Sequence, residues 1–143
     1  MYFRRFGDRY QVRLESDGPV REPLARLLTS EGIGYAVVSG IGALRSANVW
    51  FWNAETRDYE KHDIVEQMEV VSLAGTATMK DGAPFLHLHV ALGRRDLSLI
   101  GGHFGDGVVN PNLEIWLQRE SEPVDRVLDP ACGLFVMDLP ERA

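Results

Sequence analysis

Along most of the chain apolar and polar positions alternate with a period of two, the pattern of strands that bury one face. Tyr10, Val12 and Leu14 form the first such stretch. Asp17-Gly18-Pro19 then breaks it and opens a helix, with Pro19 in the first turn, where its missing N–H costs nothing. Val20, Leu24, Leu27 and Leu28 recur at i, i+4, i+7 and i+8, an amphipathic stripe, and Gly32 marks its end. No other stretch keeps a helical period. Ile33 to Ser39 and Ala47 to Trp52 are β-prone runs joined by a turn or bulge at Gly40-Ile41-Gly42. That glycine pair is no phosphate loop, because no Gly-Lys-Ser/Thr follows it. Further strands are expected at Tyr59 to Asp63, Glu66 to Leu73, Thr76 to Lys80, Leu113 to Gln118 and Leu134 to Leu139. Asn53 to Asp58 reads as a polar turn, and Asp81-Gly82-Ala83-Pro84 as a hairpin turn. With about eight to ten strands and one packed helix, the pattern predicts a mainly antiparallel α+β fold. No linker, repeat or low-complexity tract divides it, so one domain over residues 1–143 is expected.

The richest stretch runs from Phe85 to Glu114 and holds three of the four histidines. In a strand, His87 and His89 point to one face while Leu86, Leu88, Val90 and Leu92 fill the other. A turn at Gly93-Arg94-Arg95-Asp96 lets Leu97 to Gly101 run back, bringing His103 to the mouth of the same hairpin. Beyond it the chain reads as a loop punctuated by Gly105, Gly107 and Pro111. Three neutral imidazoles with an open position suit zinc or a similar divalent transition metal. The bland alternative leaves His87 and His89 as a surface pair and His103 in a loop. Glu114 and Asp106 are the carboxylates within the same stretch that could orient a ligand from behind, bind one, or act as a base. His62 is far from the cluster in sequence and is expected on the surface. A cupin is excluded because Ala91, Leu92, Gly93 and Arg94 stand where its downstream glutamate belongs.

Composition narrows the partners. The 143 residues carry a net charge of −6, with 45% hydrophobic and 25% charged residues, values of an ordinary soluble domain. Proteins that grip phosphates show a basic stripe, whereas here the basic clusters are Arg4, Arg5 and Arg9, and Arg94-Arg95. DNA is therefore disfavoured by the net charge without being excluded. The chain has no membrane-spanning apolar run. Its start shows no secretory pattern, and its single cysteine, Cys132, fits a reducing compartment. A cytoplasmic location is the expectation, with Cys132 a small buried hydrophobe.

His-Leu-His at 87–89, Ile100-Gly101-Gly102-His103-Phe104 and the strand bearing Glu114 resemble the PPC, or "plants and prokaryotes conserved", domain family. So do Tyr2 to Gly7, Ser39 to Leu44 and Met68 to Thr76, in order along nearly the whole chain. The resemblance implies an antiparallel sheet with a packed helix, assembly as a homotrimer, and in some prokaryotic members a bound metal and a DNA-binding description. Trp50, Trp52 and Trp116 would contribute to the subunit contacts of such a trimer. The plant AT-hook is missing, and Glu66 to Val71 keeps only Glu69 of the plant hexapeptide, so the plant role in chromatin does not carry over.

Three functions compete. The first is a metal-binding trimer with a DNA-associated or regulatory output, the metal on His87, His89 and His103. The second is a zinc-dependent hydrolase-like enzyme using that open site. The third is a structural or protein-binding trimer.

Overall fold

The fold is described from a computed structural model over residues 1–140, so the last three residues of the expected single unit lie outside it. Nine strands and one helix follow in the order β1 (Tyr2–Phe6), β2 (Arg9–Glu15), α1 (Arg21–Ser30), β3 (Ala36–Asn53) and β4 (Asp58–Ile64). Then come β5 (Met68–Lys80), β6 (Ala83–Gly93), β7 (Leu99–Arg119), β8 (Arg126–Asp129) and β9 (Leu134–Met137). The predicted α+β architecture, mainly antiparallel with one helix, is what forms. Seven strands make one sheet in the order β1-β2-β7-β6-β5-β3-β4, while β8 and β9 form a small separate hairpin. β7 pairs with β3 as well as with β6, so β3, β5, β6 and β7 close into a ring.

The strands are longer than the sequence pattern suggests. β3 runs unbroken through Gly40-Ile41-Gly42, where the pairing register with β5 shifts as a bulge. β5 likewise continues through Gly75. The expected loop at Gly105, Gly107 and Pro111 is instead the middle of β7. A Cβ at Gly105 would overlap the side chains of Asn48 and Trp50, and one at Gly107 would meet Leu44 at 2.9 Å. These glycines permit close strand approach, which a one-dimensional reading mistakes for a turn. Asp81 and Gly82, both at positive φ, do form the two-residue turn joining β5 to β6.

The helix stripe is borne out: Val20, Leu24, Leu27 and Leu28 are all buried in the core shared with Tyr10, Leu44, Leu88, Leu92 and Phe104. Its start is corrected. Val20 is the N-cap and Pro19 lies before it, bridged to Val108 rather than in the first turn. No local side chain caps the helix. Asp106, from β7, accepts from the N–H groups of Val20 (3.1 Å) and Arg21 (3.2 Å) instead, satisfying donors that a helix start leaves orphaned.

Candidate metal centre

The three histidines come together because two strands deliver them to one face. On β6, His87 and His89 alternate with Leu86, Leu88 and Val90, which are buried on the other side. His89 stands directly across the ladder from His103 on β7, and opposed residues in an antiparallel pair share a face. The β6–β7 ladder ends at that pair, and β7 swings across to β3, where His103 pairs with Trp50. Gly101 and Gly102 allow the crossing. A Cβ on Gly101 would drive into the Val90 carbonyl, and one on Gly102 would sit 2.7 Å from the Trp50 carbonyl oxygen.

The imidazole centroids form a nearly equilateral triangle: 5.3 Å for His87–His89, 5.2 Å for His87–His103 and 5.4 Å for His89–His103. One nitrogen from each ring lies within 4.8 Å of the others. Around a tetrahedral zinc with bonds of about 2.1 Å, ligand nitrogens stand roughly 3.4 Å apart, so the rings would have to turn inward to hold such an ion. The donors fit such an ion in protonation too. Burial, reinforced by the neighbouring histidines and by Arg21 and Arg126, lowers His103 to about 4. Burial also lowers His87, helped by Arg126, His89 and Arg21. Both rings are thus neutral at pH 7 and offer lone pairs. Nδ1 of His103 is buried without a hydrogen-bond partner among the described residues, a cost that a ligated ion would remove.

Four residues that the sequence did not assign to the site hold this arrangement. Trp50 stacks on the His103 ring at 5.1 Å and 19°, and Tyr59 meets both at 5.4 and 5.1 Å. Trp50 and Trp52 therefore line the site and are half-buried. Arg21 donates to the carbonyls of Phe104 (3.0 Å) and Leu86 (2.8 Å), clasping the two strands where their ladder has ended. Arg126, on β8, is only 9% exposed. It donates to Thr78 Oγ1 (2.8 Å) and the Phe135 carbonyl (2.8 Å) and lies 3.2 Å from Nδ1 of His87. No motif announces it: β8 is four residues long and its docking is tertiary.

The two carboxylates are placed elsewhere. Glu114 lines a different cleft, with Ile41, Glu69 and Asn112. Asp106 caps the helix, and so acts behind the site only through the helix start and Arg21. His62 is exposed on β4, as expected. Cys132, expected buried, is half-buried in the β8–β9 turn and is not among the residues that line the cavity over the histidines. Over the histidines opens a cavity of about 750 Å³, walled by Trp50, Trp52, Tyr59, Phe85, Phe135 and Arg126.

A family model for the Plants and Prokaryotes Conserved (PCC) domain matches residues 1–120. The chain belongs to this family. Among solved structures, the PCC chain is similar to a "putative dna binding protein" from Bacteroides thetaiotaomicron, at 28% identity, a TM-score of 0.92 and 96% of both chains covered. It is similar to a plant- and prokaryote-conserved (PPC) protein from Pyrococcus horikoshii, at 26% identity and a TM-score of 0.86, over 99% of this chain and 97% of that one. A metal-containing protein from Archaeoglobus fulgidus is 32% identical with a TM-score of 0.85, over 96% of this chain and 98% of that one. No curated protein matches the chain. No helix among the described residues of this PCC protein is long and apolar enough to cross a membrane.

Proposed function

We propose that this PCC protein is a metal-binding protein that holds one divalent transition-metal ion, zinc foremost, on His87, His89 and His103. The observation that carries the reading is the triangle of three imidazoles, one nitrogen of each within 4.8 Å of the others, with His103 Nδ1 buried and without a hydrogen-bond partner among the described residues. When bound, such an ion supplies a fixed positive charge and Lewis acidity at the cavity floor. The chain's own residues orient the rings (Trp50, Arg21), exclude water (Trp52, Tyr59, Phe135) and bring a second cation (Arg126). No carboxylate lines the cavity among the described residues, so the base a hydrolase would recruit from Glu114 or Asp106 is not at hand. This favours binding over hydrolysis.

The reading includes a homotrimer. Its support is an exposed apolar stripe: Val37, Ile41 and Trp116 are 46%, 50% and 41% exposed and share one face of the β3–β7 ladder, Trp116 opposite Ser39. Such a stripe suits burial between copies. A DNA-associated output is the second reading. It is favoured by the description of the 28% identical relative and by Arg4, Arg5, Arg9 and Arg13 on the exposed β1–β2 edge.

The deciding experiment is the metal content of untagged protein by mass spectrometry, beside His103→Ala. About one zinc-like ion per chain, lost in the variant, supports the reading; no metal in either protein defeats it. DNA affinity that falls steeply with salt would support the second reading, and absence of binding at low salt would remove it. Size-exclusion chromatography with light scattering tests the trimer, and a monomer at micromolar concentration would refute it.

A further inference from the structure

We propose that the cavity over the histidines binds a small organic acid with a flat apolar body, its carboxylate held between an ion on His87, His89 and His103 and the guanidinium of Arg126. The inference rests on the metal reading above and deepens it by naming the class of molecule the site takes.

Shape and charge lead to the same ligand. A volume of about 750 Å³ falls within the range of small-molecule sites. Its walls are largely aromatic: Trp50, Trp52 and Tyr59 from β3 and β4, Phe85 from β6 and Phe135 from β9. Aromatic walls suit a flat apolar group. At the floor the charge is entirely positive. Arg126 is a cation, and no aspartate or glutamate lines the cavity among the described residues. With a divalent ion on the rings, that floor strongly favours an anion over a neutral or cationic ligand.

Arg126 is built to present donors there. The Phe85 ring lies under its guanidinium, 4.9 Å from ring centroid to Cζ, and Thr78 and the Phe135 carbonyl fix its plane. A guanidinium carries more N–H donors than its three bonds here use. The contact with His87 adds a coupling. Arginine can only donate, so Nδ1 of His87 is the acceptor and spends the ring's single lone pair on Arg126. An ion on His87 must claim that lone pair, or the ring must move its proton to Nδ1. Either change releases the Arg126 N–H. Loading the ion thus frees a donor within reach of the same cavity, and the acid's carboxylate can take it. Binding is therefore ordered: ion first, acid second. Carboxylate is the head group of choice because its two oxygens match an arginine fork on one side and leave the other to the ion.

The test is calorimetric titration of zinc-loaded protein with phenylacetate, 2-phenylethanol and phenyl phosphate, with zinc measured in each sample and affinity expressed per loaded chain. The expected result is phenylacetate binding at least tenfold tighter than the alcohol, tighter than the phosphate, and at least tenfold weaker on zinc-free protein. Arg126→Lys keeps the charge and loses the fork, and should weaken phenylacetate at least tenfold; the wild-type comparisons stand even if this variant folds poorly. Loaded protein that takes the alcohol equally well, prefers the phosphate, or gives no phenylacetate heat at millimolar concentration overturns the acid site and leaves the metal reading intact. Protein that takes up no zinc overturns both. Equal phenylacetate binding with and without zinc overturns the ordering and the shared carboxylate.

Discussion

Two hairpins meet at the cavity, and they are built on different principles. The one formed by β6 and β7 is long, deep in the ring, and carries its chemistry in its own periodicity: His87 and His89 alternate with buried leucines, and His103 returns opposite His89. The one formed by β8 and β9 has strands of four residues, pairs among the described residues only with itself, and leaves Val127 and Leu128 exposed. It is fastened to the sheet largely through Arg126, with backbone help from Met79 and Val124. The first hairpin is rigid because a dense ladder holds it. The second is placed by a few polar bonds, which makes it the part of the site able to open at low cost.

The sharpest way to break this contrast is Gly101→Ala. Its new Cβ drives into the Val90 carbonyl at the crossing of β7, and we expect stability to fall by roughly 3 kcal/mol in urea unfolding. A loss under about 0.5 kcal/mol would mean the long hairpin is as yielding as the short one. Next is Arg126→Met, which strips the fastening bonds and should cost about 2 kcal/mol, given the usual worth of hydrogen bonds to charged groups. Amide exchange should speed up across residues 126–137 and stay slow in β6; uniform acceleration would dissolve the distinction. Asp106→Ala is smaller, about 1 kcal/mol for a lost helix cap. Because Arg21 starts that helix and clasps Leu86 and Phe104, exchange should rise at both places. An effect confined to the helix would sever Asp106 from the site.

The mildest probe is pH, applied to metal-free protein. His103 titrates near 4 in the folded chain against an ordinary 6.5, so the unfolded chain takes its proton first. Stability from this group is whole above 6.5, falls as pH drops from there towards 4, and levels off below. His103→Gln should flatten that limb in pH-dependent melting curves. An unchanged limb would assign it to other groups.

The same contrast explains what the sequence could reveal. Alternation found the strands other than β1 and β8, the leucine stripe found the helix, and Asp81-Gly82 found its turn, because each signal is local. The His-x-His pair and the return to His103 were legible for that reason. Gly105 and Gly107 misled, since glycine marks close backbone approach as readily as a turn, and only the three-dimensional neighbour distinguishes them; the bulge expected at Gly40-Ile41-Gly42 does form. Arg126, Trp50 and Arg21 were invisible as site residues. Their roles come from contacts with Thr78, His103 and Leu86, partners far away in sequence. Glu114 and Asp106 looked close because they share a stretch with His103, yet a long bulged strand carries them away from it.

β7 also sets when the molecule can exist. β2 has no partner in the sheet except β1 until β7 arrives, and the Arg9–Gln118 contact spans 109 residues. During synthesis, Tyr10, Val12 and Leu14 must therefore wait, with their apolar side uncovered, until nearly the whole chain has been made. Such long-range closure is slow, and its waiting intermediates are prone to aggregate. Expression at lower temperature or with a holding chaperone should raise the yield of this chain more than that of a helical protein of equal length and stability.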